Sequence, residues 1–491
     1  MRKKIFLLTI AFLFVGMLNA TIINVPADYL TIQESINDAE NGETVLVADG
    51  TYTGNNNKNL TWNGYEKHII VKSQNGPENC IIDCEQDGRA FNFDSTNQDT
   101  TDVIDGFTMM NGFSNCGSGI YCRYSSPTIQ NNVITNNIIS PWIGGGSGAG
   151  IYCYHSSSII RDNRITSNKI FCNGAPGYGE GSGICIYYGA LIIENNVIKN
   201  NEITASDLEC LASGAGLDVL NSSSQIKNNL IQGNSILHQF EMSSSGGGMG
   251  CCNYQDSSMI IVNNTIVYNN AKRGGAILIN GYVIFKNNIC SNNSDDGIYW
   301  SGLGGIPQIV YNNVWGNGQD FIDCPPGIGD TTWGNNINGT PCDSCYNIIE
   351  APLFVDQYAG DFHLTVSSPC IDAGDPSSPP DPDGTIADMG AYYYHQPASI
   401  DEIESHSSLI WNFPNPSKNS TTIFYSLKQN SHITISIYNI KGQLISTLVN
   451  ESKPKGEYSV IYHTDKLNSG VYFYKLQTDD ISEIKKMIVI K

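Results

Sequence analysis

Basic residues are scarce in this chain. Its 491 residues include 26 Lys and Arg against 47 Asp and Glu, so the net charge at neutral pH is −21. Three of the basic residues, Arg2, Lys3 and Lys4, lie at the very start, which leaves the remainder more acidic still. A negative field repels phosphate backbones and other polyanions. The composition therefore argues against nucleic acid as a partner and against unaided binding of polyanionic polymers.

Long hydrophobic runs are missing after the N-terminus. The one candidate, Ile5 to Leu18, follows the basic tetrapeptide MRKK and ends near Asn19-Ala20. A basic start, a short apolar run and a small residue are typical of a secretory signal, and the run is short for a membrane span. We predict a signal peptide over residues 1–20 and no transmembrane segment after it. Fifteen cysteines in an exported chain permit disulfides without fixing their pairing.

A helical hydrophobic period is absent from the central region, which instead repeats one phrase. The phrase reads GSGIYCRYSSPTIQNNVITNN from Gly117 and returns, altered, from Gly148, Gly181 and Gly214. Taking the second asparagine of each pair gives intervals of 31, 33, 33, 35, 24 and 25 residues between Asn132, Asn163, Asn196, Asn229, Asn264, Asn288 and Asn313. A lone asparagine follows five residues later in each coil except the last, where Asn317 comes one place early.

This repeat predicts an all-β solenoid. A short period with apolar runs of strand length describes one coil, which buries its apolar face only by stacking on the next coil at about 4.8 Å per layer. Identical positions then lie above one another, and a column of asparagines hydrogen-bonds from coil to coil. We therefore predict that the seven paired asparagines form a structural ladder. Alternation within the phrase predicts that Ile120 and Cys122, with their equivalents in later coils, face inward.

The segment VPADYLTIQESINDAENGETVLVADGTY precedes the coils. Thr31 and Glu34 form a capping-box pattern, and Ile32 and Ile36 begin a helical stripe that Gly42 closes. A short amphipathic helix over about residues 27–42 is predicted to cover the open end of the solenoid, which would otherwise expose core and a strand edge.

The same stretch carries a family resemblance. YLTIQESINDAENGETVLVADGTYTG resembles the opening of right-handed parallel β-helix proteins of the pectin-lyase-like superfamily, and NNVITNN is similar to their coil repeat. The resemblance spans residues 21–346 and implies a right-handed parallel β-helix. It leaves activity open, because that superfamily includes lyases, hydrolases, esterases, adhesins and binding proteins. SSPCIDAGDPSSPPDPDGTIADMGAY, residues 367–392, resembles the closing segment that follows such helices in secreted bacterial proteins, and we predict that this segment spans residues 347–396.

Short alternating strands make up the C-terminal region, residues 409–491, after a polar linker over residues 397–408. Ile433, Ile435 and Ile437 alternate with polar neighbours, and the strand spacing predicts a small Ig-like β-sandwich. NFPNPSKNSTTIFYSL, IYNIKGQLI, SGVYFYKL and the terminal KKMIVIK closely resemble the C-terminal sorting domain of type IX secretion cargo. That resemblance implies the type IX machinery as a partner and an extracellular or outer-membrane surface location on a bacterium.

No complete catalytic motif of a β-helix enzyme is present: a Gly-His-Gly motif and clustered aspartate pairs are both missing. The candidate site comes instead from the four long coils, whose inserts share one phase and must stack into a wall. Outward residues on the adjoining strands supply a floor of aromatic and polar side chains. The candidate glycan-binding residues are Tyr121, Arg123, Trp142, Tyr152, Tyr154, Tyr187 and Asp218. The alternative interpretation is that strand tyrosines merely cover the sheet.

Three functions remain open at this point. The first is an exported protein that binds extracellular polysaccharide through the walled groove. The second is a carbohydrate-active enzyme, a lyase or glycoside hydrolase, which a carboxylate pair across the groove would favour. The third is a structural adhesin. Calcium is the one cofactor with candidate ligands, Asp381, Asp383 and Asp388, but DPDGTIAD lacks the full spacing of an EF-hand loop and favours an Asp-Gly turn.

Overall fold

The computed structural model describes residues 21–140, 145–173, 177–206, 209–238, 244–254, 259–396, 410–427, 429–478 and 482–490. The predicted signal peptide and linker lie outside these ranges. The chain divides into two compact units at Gln396. The first unit is a right-handed parallel β-solenoid and the second is an antiparallel β-sandwich. No helix within the described ranges has the length and apolar character needed to cross a bilayer.

Three long parallel sheets form the solenoid. The first sheet contains the strands Ile22–Val25, Thr44–Val47, Ile70–Ser73, Val103–Asp105, Thr128–Gln130, Ile159–Arg161, Ile192–Glu194, Gln225–Lys227, Met259–Val262, Val283–Lys286 and Gln308–Val310. The second sheet contains Gly50–Tyr52, Cys80–Asp83, Thr108–Met110, Val133–Thr135, Arg164–Thr166, Val197–Lys199, Leu230–Gln232, Thr265–Val267, Ile289–Ser291 and Asn313–Trp315. The third sheet contains Phe91–Asp94, Ile120–Arg123, Ile151–Ser156, Ile184–Gly189, Leu217–Leu220, Met249–Asn253, Ile277–Gly281, Asp296–Trp300 and Gln319–Ile322.

The interior is a continuous apolar column. Ile120, Cys122 and their equivalents in later coils, including Ile151, Cys153 and Ile184, are fully buried, as the alternation predicted. Cys122 and Cys153 pair in register on adjacent strands and both are thiols. A short helix, Ile32–Asp38, begins at the N-cap Thr31 and buries Ile32 and Ile36 against this column. It is shorter than the predicted span of about residues 27–42, although Tyr29 and Ala39 on either side of it also contact the column.

Two asparagine ladders run along the corners between the sheets. In the first, the backbone N–H and the side-chain amide of each asparagine donate to the Oδ1 of the asparagine one coil further on. For Asn163 and Asn196 these distances are both 3.0 Å. Asn196 also donates to the carbonyls of Ile160 and Glu194. The column Asn132, Asn163, Asn196, Asn229, Asn264, Asn288 is completely buried.

The prediction that Asn313 is the last member of this ladder was wrong. Asn288 donates instead to Asn312 at 2.9 Å, and Asn312 donates to Asn347 at 3.0 Å. Asn313 lies in the adjoining strand and bonds the Glu350 carbonyl and the Cys370 thiol. The error arose because the first asparagine of each pair usually adopts the left-handed conformation, as Asn195 does at φ 57°. In the last coil Tyr311 holds that position at φ 54°, which moves the pair by one residue.

The second ladder joins the lone asparagines from Asn137 to Asn317. The corrected register explains why Asn317 seemed early, since it follows Asn312 by five residues. Both ladders end on an aspartate. Asn317 donates to Asp320, and Asn347 donates to both carboxylate oxygens of Asp343. A carboxylate accepts the final amide hydrogens without needing a further coil.

The inserts of the long coils build a second layered structure, which we call the fin. One fin sheet contains Ile138–Ile139, Lys169–Cys172, Glu202–Ala205 and Ser235–His238, and the other contains Gly145–Ser147, Gly177–Glu180, Cys210–Ser213 and Ser244–Ser245. A separate core of small and branched side chains lies between the two sheets: Ile139, Ala149, Ile170, Cys172, Ile203, Ala205, Cys210, Ala212, Ala215, Ile236 and Ala271. The predicted wall is therefore a two-layered sheet structure with its own core.

The closing segment lies against the second sheet. The hairpins Gly334–Asn335 with Pro341–Cys342, and Phe354–Asp356 with Asp361–Leu364, precede an irregular stretch to Gln396. Phe362 packs on Leu230 and Val267, and Met389 packs on Ile289. The segment thereby covers the outer side of the second sheet.

The second unit is a sandwich of two antiparallel sheets. One sheet contains Ile410–Phe413, Ser420–Leu427 and Gly456–His463, and the other contains Ser431–Asn439, Leu444–Lys453, Gly470–Gln477 and Ser482–Val489. Ile433, Ile435 and Ile437 are fully buried in a core shared by both sheets. This is the alternation that the sequence predicted.

We expect Asn196→Leu to lower the free energy of unfolding by at least about 3 kcal/mol, because several buried donors and acceptors lose their partner at once. Urea unfolding followed by circular dichroism measures this loss. Asn195→Gly is the matched control: Asn195 is exposed and left-handed, a conformation that glycine tolerates. Equal midpoints for the two variants would refute a buried ladder as a source of stability.

Candidate functional site

A sharp corner brings the fin and the third sheet face to face. The chain leaves the fin strand at Glu180, turns through Gly181 and enters the third sheet at Ile184. Gly181 has φ +56°, and a Cβ there would lie 2.1 Å from the Ile184 carbonyl oxygen. Gly148 and Gly214 make the same turn in the neighbouring coils. The first glycine of each Gly-x-Gly phrase therefore creates the groove between the fin and the third sheet.

The floor of this groove contains tyrosines from three consecutive coils: Tyr121 and Tyr152 pair in register and form a line along the solenoid axis, whereas Tyr187 lies in the neighbouring column beside Tyr154. The rings of Tyr121 and Tyr152 stack with centroids 5.3 Å apart and planes at 16°, and Tyr187 follows at 6.1 Å and 53°. The guanidinium of Arg89 lies 4.7 Å from the Tyr121 centroid and ends the line. The Tyr121 ring stacks on the Tyr152 ring and also contacts the Arg89 guanidinium. The floor therefore presents fewer open ring faces than the sequence suggested.

Several tyrosine hydroxyls around the groove have no hydrogen-bond partner among the described residues. In the described part of the chain, no hydrogen bond is formed by the hydroxyl of Tyr121, Tyr152 or Tyr178. Tyr178 stands on the fin strand, 49% exposed, on the same strand face as Glu180. Burial raises the pKa of all three phenols, so they remain hydrogen-bond donors at neutral pH. These hydroxyls are free to bind a hydroxyl-rich ligand.

Tyr154 and Arg123 belong to a second aromatic group, further from the corner. The rings of Tyr124, His155 and Tyr188 stack nearly parallel, at 5.2 and 4.7 Å, and Tyr154 contacts each of them edge-on. Arg123 pairs with Asp94 at 2.8 Å.

The stack of Tyr124, His155 and Tyr188 was not predicted from the sequence. The signal was available: each residue follows the first glycine of its Gly-x-Gly phrase by seven positions. Each also has a positive φ, between 47° and 59°.

Asp218 does not line the open groove. Its residue is only 1% exposed, and Ser213 Oγ donates to its Oδ1 at 2.8 Å. Glu180 lies beside it on the fin and accepts from Ser147 Oγ at 3.0 Å and from the Tyr187 hydroxyl. Trp142, the remaining candidate from the sequence, lies outside the described residues.

The predicted calcium ligands accept hydrogen bonds from the backbone of their own loop. Asp381 Oδ2 accepts from the Asp388 N–H, and the Asp388 oxygens accept from the backbone of Asp372 and Tyr394. Asp383 accepts from the backbone of Thr385 and Gln396. Burial raises the pKa of Asp381 to about 6 and that of Asp388 to about 7. These contacts favour the turn interpretation of DPDGTIAD over a cation site.

Three potential ligands also meet at His68, Asp99 and Asp102 near the first coils. The buried Asp102 accepts from the Trp62 indole, the Ile69 N–H, the Asp99 N–H and the His68 ring. Four donors already satisfy both oxygens, so this group stabilises the coil junction.

The hydrogen bond to Asp102 raises the pKa of His68. Because the pKa of His68 is higher in the folded state, the stabilisation from its contact with Asp102 is fully present below the unfolded-state pKa of 6.5. This stabilisation is lost as the pH rises through the folded-state pKa. We expect the difference in urea midpoint between the wild type and His68→Gln to be larger at pH 5.5 than at pH 9. A difference that is the same at both pH values would contradict this linkage.

Family comparisons agree with this architecture. Residues 178–339 match the family model of the right handed beta helix region, and residues 412–491 match that of the secretion system C-terminal sorting domain. No curated protein matches the chain. The chain thus contains a right-handed β-helix, which the structure extends well before residue 178, and a type IX sorting domain. The sorting domain marks it as a secreted protein.

Deleting residues 410–491 should block secretion, because the deletion removes the sorting domain while the solenoid unit keeps its own core. In a bacterium with type IX machinery we expect the truncated chain to accumulate in the periplasm, as measured by cell fractionation and immunoblotting. Asn195→Gly in the full chain is the control for normal export. Normal secretion of the truncated chain would show that these residues are not the sorting signal.

Proposed function

We propose that the groove between the fin and the third sheet binds an extracellular polysaccharide. The observation that carries the proposal is the set of unpaired hydroxyls, Tyr121 and Tyr152 on the floor and Tyr178 on the wall. Sugar hydroxyls both donate and accept, so they complete the hydrogen bonding of such a surface. The floor runs over several coils, each adding about 4.8 Å, which suits an extended chain rather than a compact small molecule.

The net charge of the protein restricts the class of polysaccharide that the groove can bind. The chain is acidic overall, so a sulfated or phosphorylated polymer would be repelled. Two cations lie beside the floor in the described residues, and both are engaged: Arg89 with Asn92, Ser114 and the Tyr121 ring, and Arg123 with Asp94. A neutral glycan is therefore the ligand that the groove favours. The type IX sorting domain would place this groove at the bacterial cell surface.

Catalysis is the second candidate, on one specific observation. Oxygens of Glu180 and Asp218 lie within 4.8 Å of each other, near the separation of the carboxyl pair in retaining glycosidases. Asp218, however, is sealed beneath the corner, where it does not reach a sugar in the groove. This burial supports binding over hydrolysis. For a structural adhesin, the third candidate, the structure offers no particular supporting contact.

The test uses the full-length secreted chain on a panel of neutral and anionic polysaccharides, by affinity electrophoresis and calorimetry. We expect binding to neutral glycans and, for Tyr152→Phe and Tyr178→Phe, a loss of roughly fivefold each, the equivalent of one net hydrogen bond of about 1 kcal/mol. Because only an oxygen is removed, the melting temperature should not fall.

The control is Tyr282→Phe, which removes the hydroxyl of an exposed tyrosine just after the strand Ile277–Gly281, three strands along the third sheet from Ile184–Gly189. Unchanged affinity in both groove variants would place the binding surface elsewhere. Chromatography of the bound glycan tests the second candidate, because shortened products that disappear in Glu180→Gln would establish an enzyme.

A further inference from the structure

The corner of the groove encloses a cluster of three ionisable side chains, which we call the corner cluster: Glu180, Cys185 and Asp218. Glu180 ends the fin strand, Cys185 lies on the third sheet just beyond the Gly181 turn, and Asp218 pairs in register with Cys185 on the next strand. A carboxylate oxygen of each acid and the Cys185 sulfur all lie within 4.8 Å of one another. This cluster is independent of the tyrosine hydroxyls invoked above.

One acceptor in the corner cluster is buried and unpartnered. Asp218 Oδ1 receives the Ser213 hydroxyl, but Asp218 Oδ2 is shielded from solvent and has no hydrogen-bond donor. No Lys, Arg or His of the described residues forms an ion pair with Asp218 or Glu180. An unpaired buried carboxylate oxygen is costly, so a native structure needs something else to satisfy it.

The surrounding residues keep this space open. Gly250 follows Asp218 in the same column of the third sheet. A Cβ at Gly250 would lie 2.1 Å from Asp218 Oδ1 and 2.2 Å from Ser213 Oγ. Any larger residue would displace both groups, so the sequence reserves room for the Asp218 carboxylate.

Hydroxyl groups hold both carboxylates in position. Ser147, Glu180 and Ser213 lie in register on three adjacent fin strands, with Ser147 donating to Glu180 and Ser213 to Asp218. The Tyr187 hydroxyl donates to the same Glu180 oxygen. Each acid thus has one oxygen fixed by a hydroxyl while its other oxygen accepts no hydrogen bond. Outer donors that orient ligand carboxylates in this way are characteristic of metal centres.

We propose that Glu180, Cys185 and Asp218 bind a thiophilic divalent cation of the zinc type. A thiolate with two carboxylates matches the ligand preferences of Zn²⁺, whereas Ca²⁺ and Mg²⁺ select sites made of oxygen alone. Tetrahedral Zn²⁺ with these ligands has ligand–ligand separations of roughly 3.5 Å, so ligand atoms that lie within 4.8 Å of one another need only small side-chain movements to bind it. Glu180 is partly exposed, whereas Cys185 and Asp218 are buried.

Electrostatics in the corner cluster agree with this assignment. Burial raises the pKa of Asp218, Cys185 and Glu180 because it disfavours their negative charges. A divalent cation bound by all three groups would compensate those charges.

The test is titration of the reduced, metal-free full-length chain with Zn²⁺ against a chromophoric chelator, with Ca²⁺ and Co²⁺ in parallel. We expect one tight equivalent of Zn²⁺, weak Ca²⁺ binding, and a thiolate-to-Co²⁺ charge-transfer band. Cys185→Ser and Asp218→Asn should each raise the Zn²⁺ Kd at least tenfold, and Cys185→Ser should abolish the band. Cys324→Ser, a partly buried thiol near the last coil, is the control and should bind as the wild type does.

Three results would overturn the proposal: no stoichiometric Zn²⁺ binding, equal affinity for Ca²⁺, or wild-type affinity in Cys185→Ser. If Cys185→Ser does not fold, Ser213→Ala tests the proposal instead. This variant keeps all three ligands and removes only the Ser213 hydroxyl that donates to Asp218. A severalfold weaker Zn²⁺ affinity supports the site, and an unchanged one refutes it. Tyr152→Phe should bind Zn²⁺ normally, so failure of the glycan proposal and failure of the metal proposal are distinguishable.

Discussion

Satisfying backbone polar groups at the corners of each coil is the constraint on which this structure depends. A solenoid that turns sharply between sheets leaves N–H and C=O groups buried where no strand can pair them. One asparagine per corner meets the demand, since its amide carries a donor and an acceptor on one short side chain. Asn196 illustrates the result: its Oδ1 accepts from Asn163 while its amide donates to Ile160, Glu194 and Asn229. Each coil therefore fixes the position of the next.

The same constraint explains where the chain tolerates insertion. Both ladders and the first two sheets keep their register from coil to coil, whether the interval is 24 or 35 residues. The extra residues all leave after the second ladder, at Ile138, Lys169, Glu202 and Ser235, and return at the Gly-x-Gly turn. Because equivalent inserts emerge one layer apart, they pair as strands and build the fin. A groove beside the third sheet is the geometric consequence of growth at that single corner.

Much of the fold could be predicted from the sequence because the same pattern of apolar residues, glycines and asparagines repeats in every coil. The inward phase, the ladder as far as Asn288 and the C-terminal alternation all rest on repeated signals. Asn313 was misassigned because one tyrosine, Tyr311, occupies the left-handed position that asparagine usually fills, and counting asparagines ignores conformation. The aromatic stack at Tyr124, His155 and Tyr188 was equally periodic and could have been found by aligning the glycine turns.

The corner cluster could not be found in this way, because it depends on differences between coils. In the floor column, the residue that pairs with Tyr152 is Cys185, and the next two are Asp218 and Gly250. In the fin column the equivalents of Glu180 are serines. A regular stack would place the same side chain at each level, as the asparagines do. Here small, acidic and thiol groups replace the tyrosine line over three consecutive coils, at a place where burial makes charge costly. In this repeat protein the side chains that recur in every coil determine the fold. The side chains that differ between coils form the corner cluster, where the fin and the third sheet meet.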